Sequence, residues 1–181
     1  MDDATTEAAS GRSPQATIIG DSDATAEVCT AAERIGEMLA RHHVTVVTGG
    51  RGGVMEAACR GARRAGGVTV GILPSSDMRE ANPWCSVVIP TGLGSARNVV
   101  NVLAGDFVIS IGSSAGTLSE LCFAWIHGKP ILTLKGYGAW PERLGGEPLD
   151  HRATSSITEC ATLDDLERAV IDICRQQDRR R

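Results

Sequence analysis

The segment Gly112 to Glu120, GSSAGTLSE, combines small residues, hydroxyl groups and a carboxylate. It follows the apolar run FVISI and precedes LCFAW, so we expect it to join a strand to a helix. Backbone N–H groups at a helix N-terminus bind anions, and hydroxyl groups add donors. A carboxylate one turn further on could take up a proton or stabilise an oxocarbenium ion. The candidate phosphate ligands are Gly112, Ser113, Ser114, Gly116 and Thr117.

The same segment also has a purely structural interpretation. Thr117 would cap the helix, and Glu120, three residues later, would complete a capping box. The residues alone leave the capping box and the phosphate site open as alternatives.

A second glycine-rich segment, TGGRGGVMEA from Thr48 to Ala57, has the same strand–loop–helix context. It is neither a GxGxxG fingerprint nor a Walker A loop, yet its glycines would let backbone N–H groups approach an anion. Arg51 would add a bidentate grip. Alternatively, the glycines only form a sharp turn and Arg51 is solvated. The candidate ligands are Gly49, Gly50, Arg51, Gly52 and Gly53.

The segment SARNVV places Arg97 and Asn98 at the start of a helix. A cation there opposes the helix dipole, and an anionic partner would remove that objection. The alternative is a surface arginine that pairs with Asp106 or Glu80. Two tryptophans in polar loops, Trp84 and Trp140, would either stack on a planar ligand or pack their loops down.

Strand and helix patterns alternate along the chain, which predicts an α/β fold with a doubly wound parallel sheet and helices on both faces. Such sheets bind ligands beyond the carboxyl ends of their strands, where the glycine-rich segments lie. We expect a single domain over residues 15–176, a disordered tail over 1–14 and a basic tail over 177–181. Residues 135–156 are rich in glycine and proline, and they form a loop or a flap.

The composition argues against several classes of protein. The net charge is −4, with no basic face, so we expect no nucleic-acid partner. We expect neither a signal peptide nor a membrane span. The six cysteines form no CxxC pair, and most of them are interpreted as buried small hydrophobic residues. The four scattered histidines favour no metal site. These features favour the cytoplasm.

Together, TGGRGGVMEAACRGA, GGVTVGILP, EANPWCSVVIPTGLGSARN and AGTLSE resemble the molybdenum-cofactor carrier proteins and their bacterial relatives. These proteins lie within the LONELY GUY (LOG) superfamily, whose members were once described as possible lysine decarboxylases. The similarity runs from around Ala16 to around Leu134. The resemblance implies a Rossmann-like fold and a homo-oligomer, either a dimer or a tetramer.

LOG enzymes cleave nucleoside 5′-monophosphates into free base and ribose 5-phosphate with an arginine and a glutamate. Arg97 and Glu120 match those two positions, and Gly116 and Thr117 match the phosphate loop. The charged PRKxEMARxAD block of the enzymes is replaced here by SARNVVNVLAGD, and the usual glycine pair becomes Ser113-Ser114.

These departures favour the carrier branch over phosphoribohydrolase turnover. The resemblance then implies that the ligand is molybdenum cofactor or a related nucleotide, without a metal–protein bond, and that molybdoenzymes are partners. The alternative is an AMP-type phosphoribohydrolase in which Arg97 and Glu120 are catalytic.

Overall fold

A single parallel sheet organises the chain, and the computed structural model describes residues 12–143, 148–151 and 155–179. Within these residues, seven strands have the order β4-β3-β2-β1-β5-β6-β7, and each adjacent pair is parallel. The predicted doubly wound parallel sheet is therefore confirmed. The strands are β1 (Gln15–Gly20), β2 (Thr45–Thr48), β3 (Thr69–Leu73), β4 (Val87–Pro90), β5 (Phe107–Ile111), β6 (Ile131–Leu134) and β7 (Ile157–Cys160).

Helices cover both faces of the sheet, as the alternating pattern predicts. Side chains of α1, α2 and α6 enter one apolar cluster, and side chains of α3 and α4 enter another on the opposite face. The helices are α1 (Ala26–Arg41), α2 (Val54–Arg64), α3 (Arg97–Ala104), α4 (Ala115–Ile126), α5 (Trp140–Arg143) and α6 (Leu163–Asp178). Short 3-10 turns over Met78–Glu80 and Gly94–Ala96 interrupt segments that the sequence predicts as loops.

Local sequence signals explain where the elements begin and end. All five residues of β5 are buried, which is typical of a central strand covered on both faces. Thr25 caps α1, and Thr162 forms a reciprocal capping box with Asp165 at the start of α6. Threonine is among the residue types that favour the N-cap position.

The chain changes direction between β1 and β5, which lie side by side at the centre of the sheet. From β1 the chain proceeds outwards through β2, β3 and β4, and β5 then begins the other half. Gly20 and Ile111 are paired in register, so the segments after them begin next to each other. Such a switch point opens a crevice at the carboxyl ends of the strands.

Two local predictions are wrong. Helix α4 begins at Ala115, and its N-cap is Ser114, whose hydroxyl accepts from the Thr117 N–H, so Thr117 is not the cap. The prediction that most cysteines are buried is also wrong: Cys59 and Cys160 are buried, Cys122 is exposed and the other three are intermediate.

The predicted tails lie mostly or partly outside the described residues, namely 1–11 of the N-terminal tail and 180–181 of the C-terminal tail. The same holds for residues 144–147 and 152–154 of the predicted flap.

Candidate functional site

A cleft of about 150 Å³ lies at the switch point between β1 and β5. The loops that follow β1, β2 and β5 contribute to it, together with the first turns of α3 and α4. Its lining residues are Gly20, Ser22, Arg51, Met55, Arg97, Asn98, Ser114, Gly116, Thr117 and Glu120. Both glycine-rich segments singled out in the sequence therefore contribute to one hollow.

A buried ion pair occupies the floor of this cleft. Arg97 Nη1 lies 3.5 Å from Glu120 Oε1, and each side chain is only 9% exposed. Asn101 Nδ2 donates to the same carboxylate oxygen at 2.7 Å. The alternative of a surface arginine paired with Asp106 or Glu80 is wrong, because Arg97 is buried and Asp106 pairs with Arg12.

The capping-box interpretation of Glu120 is also wrong. Ser114, not Thr117, is the N-cap, and the Glu120 carboxylate is directed towards α3. A glutamate that a capping box does not require, held beside an arginine in a cleft, is a candidate for chemistry rather than for helix termination.

Burial shifts the acid–base behaviour of both partners. It raises the pKa of Glu120 to about 7, despite opposing effects of the Asn101 hydrogen bond and the Arg97 charge. Burial also lowers the pKa of Arg97, and the positive charge of Arg51 adds to this, whereas Glu120 opposes it. Glu120 is therefore poised to exchange a proton near neutrality.

Two buried polar atoms beside the pair have no hydrogen-bond partner among the described residues, Arg97 Nε and Asn101 Oδ1. Such atoms are rare in folded proteins, because an unsatisfied buried polar group is costly. Their position beside the cleft is consistent with a ligand or solvent that completes their bonding.

The loop after β5 donates its first amides to a carboxylate of the chain itself. Asp21 follows β1 directly, and it accepts from the Ser113 N–H at 2.9 Å and from the Ser114 N–H at 2.7 Å. The Thr117 hydroxyl donates to the same carboxylate at 2.9 Å. Burial raises the pKa of Asp21, but these hydrogen bonds outweigh it and hold the pKa below its usual range.

The amides of Ala115 and Gly116 remain as donors at the start of α4. Both residues are exposed, and within the described part of the chain no acceptor contacts their N–H groups. Helix geometry leaves such first-turn amides without an intrahelical partner. Gly116 lines the cleft together with Arg51 and Arg97.

The glycines of the 49–53 segment permit close packing rather than line the cleft. A methyl group at Gly49 would lie 2.6 Å from Arg97 Nη1, so this glycine makes room for the guanidinium. Gly53 has a φ of +63°, and its methyl group would lie 2.3 Å from the Asp21 carbonyl oxygen. Arg51 is the residue of this segment that reaches the cleft.

Asn82 holds the 49–53 segment in place through two hydrogen bonds to its backbone. Its Nδ2 donates to the Arg51 carbonyl at 3.0 Å, and its N–H donates to the Gly50 carbonyl at 2.8 Å. The segment is thus tied to the loop before β4. Sequence reasoning included Asn82 only within the EANPWC motif and assigned it no role.

The two loop tryptophans have different positions. Trp140 in α5 donates its Nε1–H to the Ser114 carbonyl at 3.0 Å, and Arg143 donates to the Ser113 hydroxyl at 3.3 Å. Helix α5 therefore lies against the 112–117 loop. Trp84 instead packs near Arg64, whose guanidinium is 5.6 Å from the ring centre, and it does not line the cleft.

A larger hollow of about 350 Å³ lies beyond β6, between Arg34 and the start of α6. The N-terminus of α6 lies at this hollow, and the capping box of Thr162 and Asp165 already provides hydrogen-bond partners there. It also lacks a buried acid–base pair, so we assign the functional site to the smaller cleft.

The described residues offer neither a metal site nor a membrane span. They contain no cluster of three or more metal-ligating side chains. None of the helices within the described ranges has the length and apolar character of a membrane span.

The structure brings together about half of the residues that the sequence nominated. Those that line the cleft are Arg51, Arg97, Asn98, Ser114, Gly116, Thr117 and Glu120. Those that do not line it are Gly49, Gly50, Gly52, Gly53, Gly112 and Ser113. Sequence reasoning missed Asp21 and Asn101; a carboxylate directly after a central strand was the available signal for Asp21.

Similarity to known proteins is consistent with this geometry. The structure of TM1055 is 33% identical, with a TM-score of 0.82, and the match covers 88% of this chain and 99% of that one. The molybdenum cofactor binding protein of the phototrophic bacterium Rippkaea orientalis is 32% identical, with a TM-score of 0.80 and coverage of 90% and 98%. The molybdenum cofactor carrier protein of Chlamydomonas reinhardtii is 30% identical, with a TM-score of 0.78 and coverage of 90% and 98%.

The predicted relationship to molybdenum-cofactor carriers and LOG-like proteins is thereby confirmed. The model of one family, the SLOG cluster4 family, matches residues 13–166. This chain belongs to the SLOG cluster4 family.

Proposed function

We propose that this chain binds a phosphorylated small molecule in the cleft between β1 and β5, and that the ligand is molybdenum cofactor or a related nucleotide. The observation that carries the proposal is the convergence of two loop tips on one hollow that holds a buried arginine, Arg97, with an unpartnered Nε. A ligand phosphate would receive donors from Arg97, Arg51 and the free amides at the start of α4.

The chemistry of the donors fits an anionic ligand. Arg97 is nine-tenths buried and pairs with Glu120 only at 3.5 Å, which is long for a hydrogen bond. A guanidinium in that position gains more from a doubly charged phosphate than from one distant carboxylate oxygen. Glu120 would then orient a polar group of the bound molecule. The proposal requires no bond between the protein and the metal of the cofactor.

The size of the cleft bears on how the rest of the ligand would be held. At about 150 Å³ it is smaller than the roughly 300–1,000 Å³ of pockets that enclose drug-sized ligands. It accommodates a phosphate and its neighbouring ring, and the remainder would lie against α5 or a second copy of the chain. We therefore propose a homo-oligomer, a dimer or a tetramer, and molybdoenzymes as recipients of the ligand.

Retention of the cofactor tests this proposal. Molybdenum cofactor released from a molybdoenzyme is mixed with the chain, and molybdenum per chain is measured after gel filtration. We expect stoichiometric retention by the wild type and loss in Arg97→Met. Equal retention by both proteins would contradict the assigned site, and no retention by the wild type would exclude molybdenum cofactor as the ligand.

One observation favours a second function, an AMP-type phosphoribohydrolase. The pKa of Glu120 at about 7 is that of a group able to exchange protons at neutral pH, and a pKa raised by burial is typical of the acid in glycoside cleavage. Incubation with AMP distinguishes the two functions. Release of adenine by the wild type but not by Glu120→Gln would establish the hydrolase, and intact AMP after prolonged incubation would exclude it.

A further inference from the structure

The 112–117 loop binds the carboxylate of Asp21 with the kind of donors that would bind a free anion. Two consecutive amides, from Ser113 and Ser114, and one hydroxyl, from Thr117, converge on it at 2.7–2.9 Å. Gly112 has a φ of +97°, and a methyl group there would lie 2.7 Å from Asp21 Oδ2. The loop is therefore shaped around this carboxylate, and it uses donors of the kind that hold phosphate.

We propose that Asp21 is an internal occupant of the anion site on the 112–117 loop, and that a phosphate reaches the Ser113 and Ser114 amides only by displacing it. The choice of phosphate as the displacing group rests on the proposed function. In the unliganded protein, the Asp21 carboxylate therefore occupies the anion site, and an anion that binds weakly cannot displace it.

Geometry and charge make the two anions mutually exclusive. The same three donors serve Asp21, so an incoming phosphate oxygen would have to take the place of a carboxylate oxygen. A phosphate placed beside the occupied loop would instead meet a negative charge in a partly buried setting, where repulsion is poorly screened.

Displacement requires only a side-chain movement. The Asp21 carbonyl accepts from the Val54 N–H at 3.0 Å, so the backbone is held in place. The residue is of intermediate exposure, and the neighbouring residues Ser22 and Asp23 are exposed, so the carboxylate is able to rotate towards solvent. Arg97, nine-tenths buried with an unpartnered Nε, lines a cleft together with Ser114 and Thr117, two of the residues that hold Asp21, and it independently marks that cleft as a place for an anion.

The consequence is selectivity against small anions. Inorganic phosphate offsets the lost Asp21 contacts only with bonds to its own oxygens, so it competes poorly. A phosphorylated ligand makes the same bonds through its phosphate and adds contacts of its remaining atoms with the cleft, including Glu120, and these further contacts offset the displacement. Asp21 would therefore make the site selective for a larger phosphorylated ligand over inorganic phosphate.

Binding of inorganic phosphate to charge variants tests the proposal. Affinity is measured by ³¹P NMR or calorimetry at pH 7.5 and constant ionic strength for the wild type, Asp21→Ala, Asp21→Asn and Asp23→Asn. Asp23 is the matched control, since it carries the same charge two residues away and is exposed. We expect at least a tenfold gain in affinity for Asp21→Ala, a smaller gain for Asp21→Asn and less than a twofold change for Asp23→Asn.

Equal or weaker phosphate binding by folded Asp21 variants, or equal gains in Asp21 and Asp23 variants, would overturn the proposal. Circular dichroism establishes that the variants fold. The wild type gives a second test that needs no variant: at saturating phosphate, the Asp21 ¹³Cγ resonance must move together with the Ser113 and Ser114 amide resonances. Movement of the amides without Asp21 would also overturn it.

The outcomes separate this inference from the proposed function. Suppose that Asp21→Ala gains affinity for inorganic phosphate, but neither the wild type nor any variant retains molybdenum cofactor or AMP. The proposal that Asp21 occupies the anion site is then supported, and the proposed function is wrong. Suppose instead that cofactor or AMP binds the wild type and Asp21→Ala equally, and that the affinity for inorganic phosphate is the same in both. The proposed function is then supported, and the proposal that Asp21 occupies the anion site is wrong.

Discussion

Arg97 Nη1 and Glu120 Oε1 lie 3.5 Å apart on two different helices, and both side chains are nine-tenths buried. The residues are 23 positions apart in the sequence and come together because α3 and α4 pack on the same face of the sheet. A buried pair at this distance is weak evidence for stability, because two desolvated charges are costly unless their geometry is close. Its location in a cleft is the basis of our proposal that it serves a ligand.

Glu120 should give the protein a pH-dependent stability near neutrality. Its pKa is raised from 4.5 to about 7, so between these values the native state keeps a proton that the unfolded chain releases. The contribution of Glu120 to the free energy of unfolding is therefore complete below pH 4.5 and is lost as pH rises through 7, by on the order of 3 kcal/mol. Urea denaturation at several pH values measures it.

Glu120→Gln is the control for that measurement, because glutamine has similar size and no titration. We expect the difference in unfolding free energy between wild type and variant to change in favour of Glu120→Gln as pH rises from 4.5 to 8. A difference that stays constant across this range would show that Glu120 titrates normally.

Removal of the Arg97 charge should weaken binding of phosphorylated ligands far more than removal of a surface arginine. Arg97→Met deletes a guanidinium from the cleft floor, whereas Arg79→Met deletes one whose side chain is 90% exposed. We expect at least a tenfold loss of affinity in the first, because charge-assisted hydrogen bonds contribute about 1.5–3 kcal/mol each. Calorimetry with AMP checks this, and equal affinities would refute it.

Gly53 should tolerate alanine poorly, for reasons of both conformation and space. Gly53 and Gly66 have φ values of +63° and +79°, but only at Gly53 would the methyl group meet backbone, 2.3 Å from the Asp21 carbonyl oxygen. We expect Gly66→Ala to cost about 1 kcal/mol from left-handed strain alone. Gly53→Ala should cost roughly 3 kcal/mol or more, since overpacking adds to the strain. Similar unfolding midpoints in urea would count against this close approach.

Trp140 should report ligand binding by fluorescence. Its indole N–H donates to the Ser114 carbonyl, so a change at the 112–117 loop alters its surroundings. The chain has three tryptophans, and Trp84 is not among the residues that line the cleft. We expect the ligand-induced change in emission to persist in Trp84→Phe and to disappear in Trp140→Phe. If the ligand-induced change in emission persists in Trp140→Phe, Trp140 does not sense the change at the 112–117 loop.

The sequence was informative about the fold because each element carries its own signal. The five-residue run of β5 is apolar except for Ser110, and the caps Thr25 and Thr162 lie at the starts of their helices, so periodicity and capping suffice. The start of α4 was misplaced because Ser114 and Thr117 are both good caps. Backbone geometry, not residue type, decides between them.

The candidate site was only partly predictable, since it depends on contacts between distant segments. Glycine runs and an arginine at a helix start indicate an anion site from local sequence. The pairing of Asp21 with Ser113 and Ser114 spans 92 and 93 positions, and it follows from the adjacency of β1 and β5. A helical pattern also does not reveal that Asn101 and Glu120 face each other across two helices.

The central claim is that a phosphorylated molecule binds at the switch point between β1 and β5. The most direct test is a ¹H–¹⁵N titration of the labelled chain with molybdenum cofactor and, separately, with AMP. We expect saturable shifts concentrated at Arg51, Arg97, Ser114 and Gly116, with Gly66 unmoved. Absence of saturable shifts with either compound, or shifts centred on the hollow beside Arg34 and Thr162, would contradict the claim.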